Sequence, residues 1–324
     1  FVFVFRHELA PAWRWGSGVA IAAMLACAFF VSVSYEDPCA TGASGCEVRR
    51  DYAATVVSTG EGMDRRLFVN GVSITYLTTI TKFMAHMPLA FHKDPPQSAL
   101  VICFGMGTTY RSLLSWDVNT TAVELVPSVR DAFPYYHDDA AAVIANPKGR
   151  VVVDDGRRFL NRTRETYDAI VVDPPPPVEA AGSSLLYSRE FHEAVRDHLK
   201  PGGIFQTWYP LGEPSIAFAI AQSLTDVFPY IRVYRGLDGW GYHFLASMQP
   251  LPDLTAEQVE AKMPPSAKKD LSEWTKAGLH ADIAHVLGSE LPLKDLLPPH
   301  AAIRVTDDRP YNEYFLLRRA GNGS

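Results

Sequence analysis

From residue 99 onward, apolar runs of strand length alternate with stretches of helical period. The run ALVICF is followed by a turn and helix, GMGTTYRSLLSW. The run TAVEL leads to PSVRDAF, a helix opened by Pro127. RVVV ends at Asp154-Asp155-Gly156, and DAIVV ends at Asp173 before four consecutive prolines. The amphipathic SREFHEAVRDHL is stopped by Lys200-Pro201-Gly202-Gly203. GIFQTWY, the helix PSIAFAIAQSLTDVF and the strand pair YIRVYRG and GYHFLAS follow. Such alternation predicts an α/β fold with a doubly wound, mostly parallel sheet, seven strands on this count. Upstream, YAATVVST, RRLFVNG and VSITYL read as short strands, with Asn70-Gly71 as a two-residue hairpin turn. Residues 253–300 read as helix and loop, with Thr255 and Gln258 spaced as a capping box.

One pattern differs. Gly16 to Ser34 carries no charge and is flanked by Trp13, Trp15 and Tyr35, which predicts a transmembrane helix over 16–35. The opening FVFVF reads as the tail of an earlier span. The organisation expected is then 1–15 an earlier span's end and loop, 16–35 the membrane helix and 36–51 a linker. A small β-hairpin unit over 52–78, the α/β domain over 79–250 and a helical and loop extension over 251–324 complete it. Arg6 and Arg14 precede the span, while Glu36 and Asp37 follow it at once. That balance puts the large domain on the extracytoplasmic side.

The 324 residues are 47% hydrophobic, enough for a substantial core, and the net charge is −6. Without a basic run or face, nucleic acid is excluded as a partner. The partners expected are membrane lipid and either other subunits of a membrane complex or a second copy. Cys39 and Cys46 lie in a small-residue loop that could close as a disulfide, whereas Cys27 and Cys103 read as packing residues. No His/Cys set has metal-site spacing.

The candidate chemistry falls at strand ends. Gly105 and Gly107 allow a tight turn at a helix start, and Glu124 follows by about 20 positions at the end of the next strand, as a ribose-binding acid does. Asp155-Gly156 and then Asp173 end the next two strands. Their phase points to a ligand crevice along the carboxyl edge of the sheet. Tyr187 and Gln206 are candidates to orient an acceptor, and Asp307 and Asp308 either fold back over the crevice or cap a loop.

In order along the chain, LFVNGVSIT, AHMPLAFH, VDDGRRFL and YDAIVVDPPPP…LLYSREFHEAVRDHLKPGGIFQTW resemble the motifs of spermidine synthases, the polyamine aminopropyltransferases. The resemblance covers residues 52–247. With the apolar segment and the terminal TDDRPYNEY, it extends to a membrane-attached branch. It implies the S-adenosylmethionine-methyltransferase-like fold and decarboxylated S-adenosylmethionine, or S-adenosylmethionine, as co-substrate rather than a firmly bound cofactor. The nucleoside would lie on Glu124 and the Asp155-Gly156 turn, with Asp173 as the base that takes a proton from the attacking amine. Several family residues are replaced. Thr108 stands for the aspartate of the glycine loop and Thr75 for a glutamine. Thr78 to Lys82 stand for the acidic and tyrosine residues ahead of H-x-P-L, and proline stands for the second loop aspartate. Polycation recognition needs several carboxylates. Two main readings stay open: a transferase with an unusual acceptor, or a docking subunit on a degenerate synthase fold. A methyltransferase on the same fold is a third, weakened by Val178 where an aromatic would follow the prolines.

Overall fold

A computed structural model describes residues 11–30, 34–40, 45–174, 177–210, 212–275, 277–297 and 303–313. A helix spans Pro11–Phe30 among the described residues. It takes in Arg14, Gly16 and Ser17, so its unbroken apolar part, from Val19 to Phe30, is about 18 Å long against a hydrocarbon core of about 30 Å. No helix among the described residues is long and apolar enough to cross a membrane. The expected earlier span falls on residues outside the described ones.

The segment expected as a linker folds. Cys39 and Cys46 are disulfide-bonded, and Cys46 opens the first strand. Strands β1 (Cys46–Arg50), β2 (Thr55–Thr59), β3 (Arg66–Val69) and β4 (Val72–Tyr76) form an antiparallel sheet in sequence order, larger than the expected hairpin unit. Its tightest turn is the predicted one. Asn70 and Gly71 both adopt positive φ (51° and 79°) between the paired Val69 and Val72, as a type I′ turn requires.

The main sheet comprises β5 (Ser98–Ile102), β6 (Asn119–Glu124), β7 (Gly149–Val153), β8 (Tyr167–Val172), β9 (Leu199–Tyr209), β10 (Tyr230–Arg235), β11 (Tyr242–Ser247) and β12 (Glu290–Leu291). Their spatial order is β12-β10-β11-β9-β8-β5-β6-β7, with β7-β6-β5-β8-β9 parallel. The sheet therefore has eight strands, not seven. Glu290–Leu291 adds a short edge beside Val233 and Tyr234, too brief to leave a period in the sequence.

Side chains alternate between two cores, as strand geometry dictates. Ala99, Val101, Val171, Trp208 and Leu245 face one side, under helix Thr79–Phe91 and the C-terminal helices Ala256–Lys262, Pro265–Ser272 and Leu279–Gly288. Leu100, Ile102, Val172, Phe205 and Phe244 face the other, beneath helices Arg189–Asp197 and Pro214–Thr225. The capping box at Thr255 and Gln258 forms as expected.

The segment 303–313 binds back onto the domain. The buried Asn312 side chain donates to Val178 O (2.6 Å) and Ser183 Oγ (2.8 Å), and Glu313 Oε1 accepts from Ser184 N (3.0 Å). These bonds pin the loop that follows Asp173. Asn312→Ala is expected to cost about 1–3 kcal/mol of stability, because buried backbone and hydroxyl groups lose their partner. It should also open residues 177–187 to proteolysis. Unchanged cleavage kinetics in a limited trypsin and chymotrypsin digest would argue against the clamp.

Candidate active site

The carboxyl ends of the parallel strands converge. Asp173 leaves β8 with its N–H donating to Ile102 O, at the end of the neighbouring β5 (3.1 Å). Cys103, the next residue of that neighbour, has a thiol pushed well up by burial and by the charges of Glu124, Asp173 and Asp155. Three carboxylates from three strand ends thus act on one thiol. Cys103 lies in the loop after β5 with φ +70°, a costly conformation for a side chain other than glycine. The expectation of an inert residue within a strand misses this position.

Gly105 and Gly107 follow with φ of +53° and +77°. Any side chain at Gly107 would collide with the Phe133 ring, 2.3 Å from an added Cβ, whereas Gly105 faces open space. Glu124 holds this loop: Oε2 accepts from Phe104 N and Oε1 from Val126 N, both at 2.9 Å. Burial raises its carboxyl, partly offset by the backbone N–H groups of Val126, Phe104, Gly105 and Leu125. Its oxygens retain lone pairs for a diol.

Asp155 caps helix Gly156–Arg162 by accepting from Arg158 N (2.7 Å), and Gly156 is required because an added Cβ would lie 2.3 Å from Ile102 Cγ2. Asp173 is half-buried, open to the crevice but otherwise surrounded by protein. Burial raises its carboxyl to about 7, opposed only by a long hydrogen bond from Thr109 Oγ1 (3.5 Å). Thr109 Oγ1 also lies 3.2 Å from Thr81 O, at the start of helix Thr79–Phe91.

The other predicted residues are placed differently. Tyr187 is fully buried and its hydroxyl donates to Trp208 O (3.3 Å), so it supports the crevice floor. Gln206 is also fully buried and pairs with His243 Nδ1 (3.2 Å), while its Oε1 has no partner among the described residues. Asp307 is held by Arg157 through two 2.6 Å contacts and accepts from Ser188 Oγ at 2.8 Å. Its charge is neutralised, so it braces the wall and does not restore acidity. Asp308 is exposed on the 306–309 turn.

Residues 78–236 match the spermine/spermidine synthase domain model. A polyamine aminopropyltransferase of Hyperthermus butylicus is 30% identical over 239 residues, covering 66% of this chain and 76% of the relative. The chain belongs to the spermidine synthase family. The polyamine aminopropyltransferase of Sulfurisphaera tokodaii is 27% identical over 186 residues, which are 54% of this chain and 61% of that relative's length. A spermidine synthase solved with the transition-state analogue AdoDATO superposes with a TM-score of 0.62 at 20% identity, covering 78% of this chain and 87% of that one. The spermidine synthase of Thermotoga maritima superposes with a TM-score of 0.59 at 21% identity, covering 78% and 86%. The shared architecture is the methyltransferase-like α/β fold with a small antiparallel sheet ahead of it.

Within this synthase-family fold, Lys82 and Thr108, which the resemblance sets where acidic residues were expected, have structural partners. Lys82 is fully buried, 2.7 Å from Glu273 Oε2 and 3.3 Å from Asp270 Oδ1, with its ammonium 4.0 Å from the Trp274 ring centroid. Asp270 also accepts from Arg111 (2.7 Å), Ser112 Oγ (2.7 Å) and His86 Nε2 (3.0 Å), and His86 Nδ1 accepts from Trp116 Nε1 (2.8 Å). The histidine of H-x-P-L therefore anchors the C-terminal helices. Thr108 Oγ1 pairs with His137 Nε2 at 3.3 Å. Asp270 and Asn312 escaped sequence reading because their partners lie more than 100 positions away. Only the buried Lys82 in an otherwise apolar helix hinted that an acid must come from elsewhere.

Proposed function

We propose that this synthase-family protein transfers an aminopropyl group from decarboxylated S-adenosylmethionine to an amine that carries fewer positive charges than the usual polyamines. The observation that carries this reading is Asp173: a strand-end carboxylate raised to about 7 by burial, with no cation bonded to it among the described residues, and acting with Glu124 and Asp155 on the Cys103 thiol. A group poised near neutrality suits general-base work. The neutral amine nitrogen attacks the methylene carbon bonded to the sulfonium. The C–S bond breaks with its electron pair going to sulfur, leaving a neutral thioether nucleoside, and Asp173 takes the proton released by nitrogen. Glu124 would hold the ribose diol and Asp155 the base. Lys82, Thr108 and Asp307 do not add negative charge to the acceptor side, which supports a less cationic acceptor.

Calorimetric titration with decarboxylated S-adenosylmethionine tests the nucleoside site. Glu124→Ala is expected to weaken binding by about tenfold or more, because charge-assisted bonds to the diol are lost. Absence of heat with the wild-type protein would sink the transferase reading.

A second reading, a docking subunit using a retired synthase fold, is favoured by one observation. The Cys39–Cys46 disulfide suits an oxidising compartment, away from a cytosolic nucleoside. Exposed Val19 (67%), Met24 (64%) and Leu25 (67%) on helix Pro11–Phe30 support attachment to a membrane, with lipid or a complex subunit as the partner. Alkylation of the unreduced native protein should modify the exposed Cys27, the buried Cys103 only on unfolding, and Cys39 and Cys46 only after reduction. Labelling of Cys39 and Cys46 before reduction would remove the compartment argument.

A further inference from the structure

We infer that the protein carries a second ligand site, for a small organic anion with an apolar body, between the N-terminal sheet and the free edge of β7. A cavity of about 560 Å³ lies there, within the size range of small-molecule sites. Its apolar lining includes Phe104, Phe133, Ile144 and Val151, and Arg49, Arg130 and Arg150 border it, with Asp131 the one acidic lining residue. Glu124, Asp155 and Asp173 do not line it, so it is distinct from the crevice.

The arginines are tethered yet have donors to spare. Arg150 is fixed by Thr121 Oγ1 (2.9 Å) and by Glu165, and Arg130 by Asp131 (2.7 Å). Arg49 is the most telling. Glu47 pairs with one terminal nitrogen, whereas the buried Nε has no hydrogen-bond partner among the described residues. A buried donor without an acceptor is costly, and a guanidinium with unpaired N–H groups beside the cavity can grip a carboxylate, sulfonate or phosphate. Phe104 links the two sites: its ring lines the cavity and its N–H is held by Glu124. An occupant pressing on Phe104 would therefore bear on the glycine loop.

The test is a fluorescence titration of the full chain with 1-anilinonaphthalene-8-sulfonate, an anion with an apolar body. One saturable site is expected, weakened by about tenfold or more in Arg49→Ala and in Arg150→Ala, as loss of a charge-assisted contact predicts. Ile144→Glu, a change at an exposed helical position, should weaken it as well by placing like charge at the rim. Thermal melts establish that each variant is folded, and the three substitutions lie on separate elements, so one unstable variant leaves two readouts. Dye affinity unchanged across the folded variants would overturn the inference. So would complete displacement of the dye by the thioether nucleoside in a manner lost with Glu124→Ala, which would place the dye in the crevice. If the crevice binds no nucleoside, the cavity result still stands by itself.

Discussion

Asp173→Asn is expected to lower kcat/KM for amine transfer by about 10²–10⁴-fold, the range for removing a positioned general base. Nucleoside binding, which the proposed function assigns to Glu124 and the glycine loop, should stay close to wild type. The pH profile gives an independent check. With its carboxyl at about 7, Asp173 is a competent base only when ionised, so the wild-type rate should climb through pH 7 before levelling. The stability prediction runs the other way. An aspartate ionises near pH 4 in the unfolded chain and near 7 in this folded site, so the folded state binds the extra proton between those values. Stability contributed by the protonated group is full below about pH 4 and is lost as pH rises toward 7. Asparagine escapes that loss, so the variant should melt a few degrees higher than wild type at pH 8 while matching it near pH 4. A variant that melts lower at pH 8 and keeps its rate would refute both the burial and the role.

Asp270→Ala should be among the most destabilising single changes in the chain. The carboxylate is buried and serves Lys82, His86, Arg111 and Ser112 together. Its loss takes the shared acceptor from Arg111, His86 and Ser112 and leaves the fully buried Lys82 ammonium with Glu273 as its remaining carboxylate, which costs about 3–5 kcal/mol and lowers the melting midpoint on the order of 10 °C. Burial would raise the carboxyl, but the hydrogen bond from His86 Nε2 and the charge of Lys82 outweigh it and hold it well below the usual range. Its contribution is therefore full above the unfolded value near pH 4 and is lost as pH falls below it. Lys82→Met added to Asp270→Ala should recover much of the loss. Two independent, additive penalties in the thermal melts would mean that the pair is not coupled.

Why was so much of the fold legible, and so little of the wall around the site? Strands such as Ala99–Ile102 and Ala169–Val172 are buried on both faces, so continuous apolar runs announce them. Carboxylates placed immediately after such runs are then located by chain geometry alone. That reasoning reached Glu124, Asp155 and Asp173. It stopped where position depends on distant pairing. Tyr187 and Gln206 read as acceptor contacts by their proximity to Asp173 in the chain and sheet, but strand alternation and helix packing turn them into the interior. Asp307 reads as a free acid until Arg157 is seen across 150 positions. The apolar segment near residue 20 read as a span from a count of uncharged residues, whereas no helix among the described residues is long and apolar enough to cross a membrane.

The brace at Arg157 and the clamp at Val178 have a consequence for the order in which the site is made. Synthesis runs from the N-terminus, and chain already released can fold while the remainder is still being added. β5 to β9 end at residue 209, so the glycine loop, Glu124 and Asp173 are in place early. The partners that fix the walls on both sides of them, Asp307 and Asn312, emerge about a hundred residues later, about 5–20 seconds at typical rates of elongation. Throughout that interval the nascent chain carries its carboxylates on an assembled sheet with slack walls, and the crevice takes its final shape only when residues 303–313 close over it.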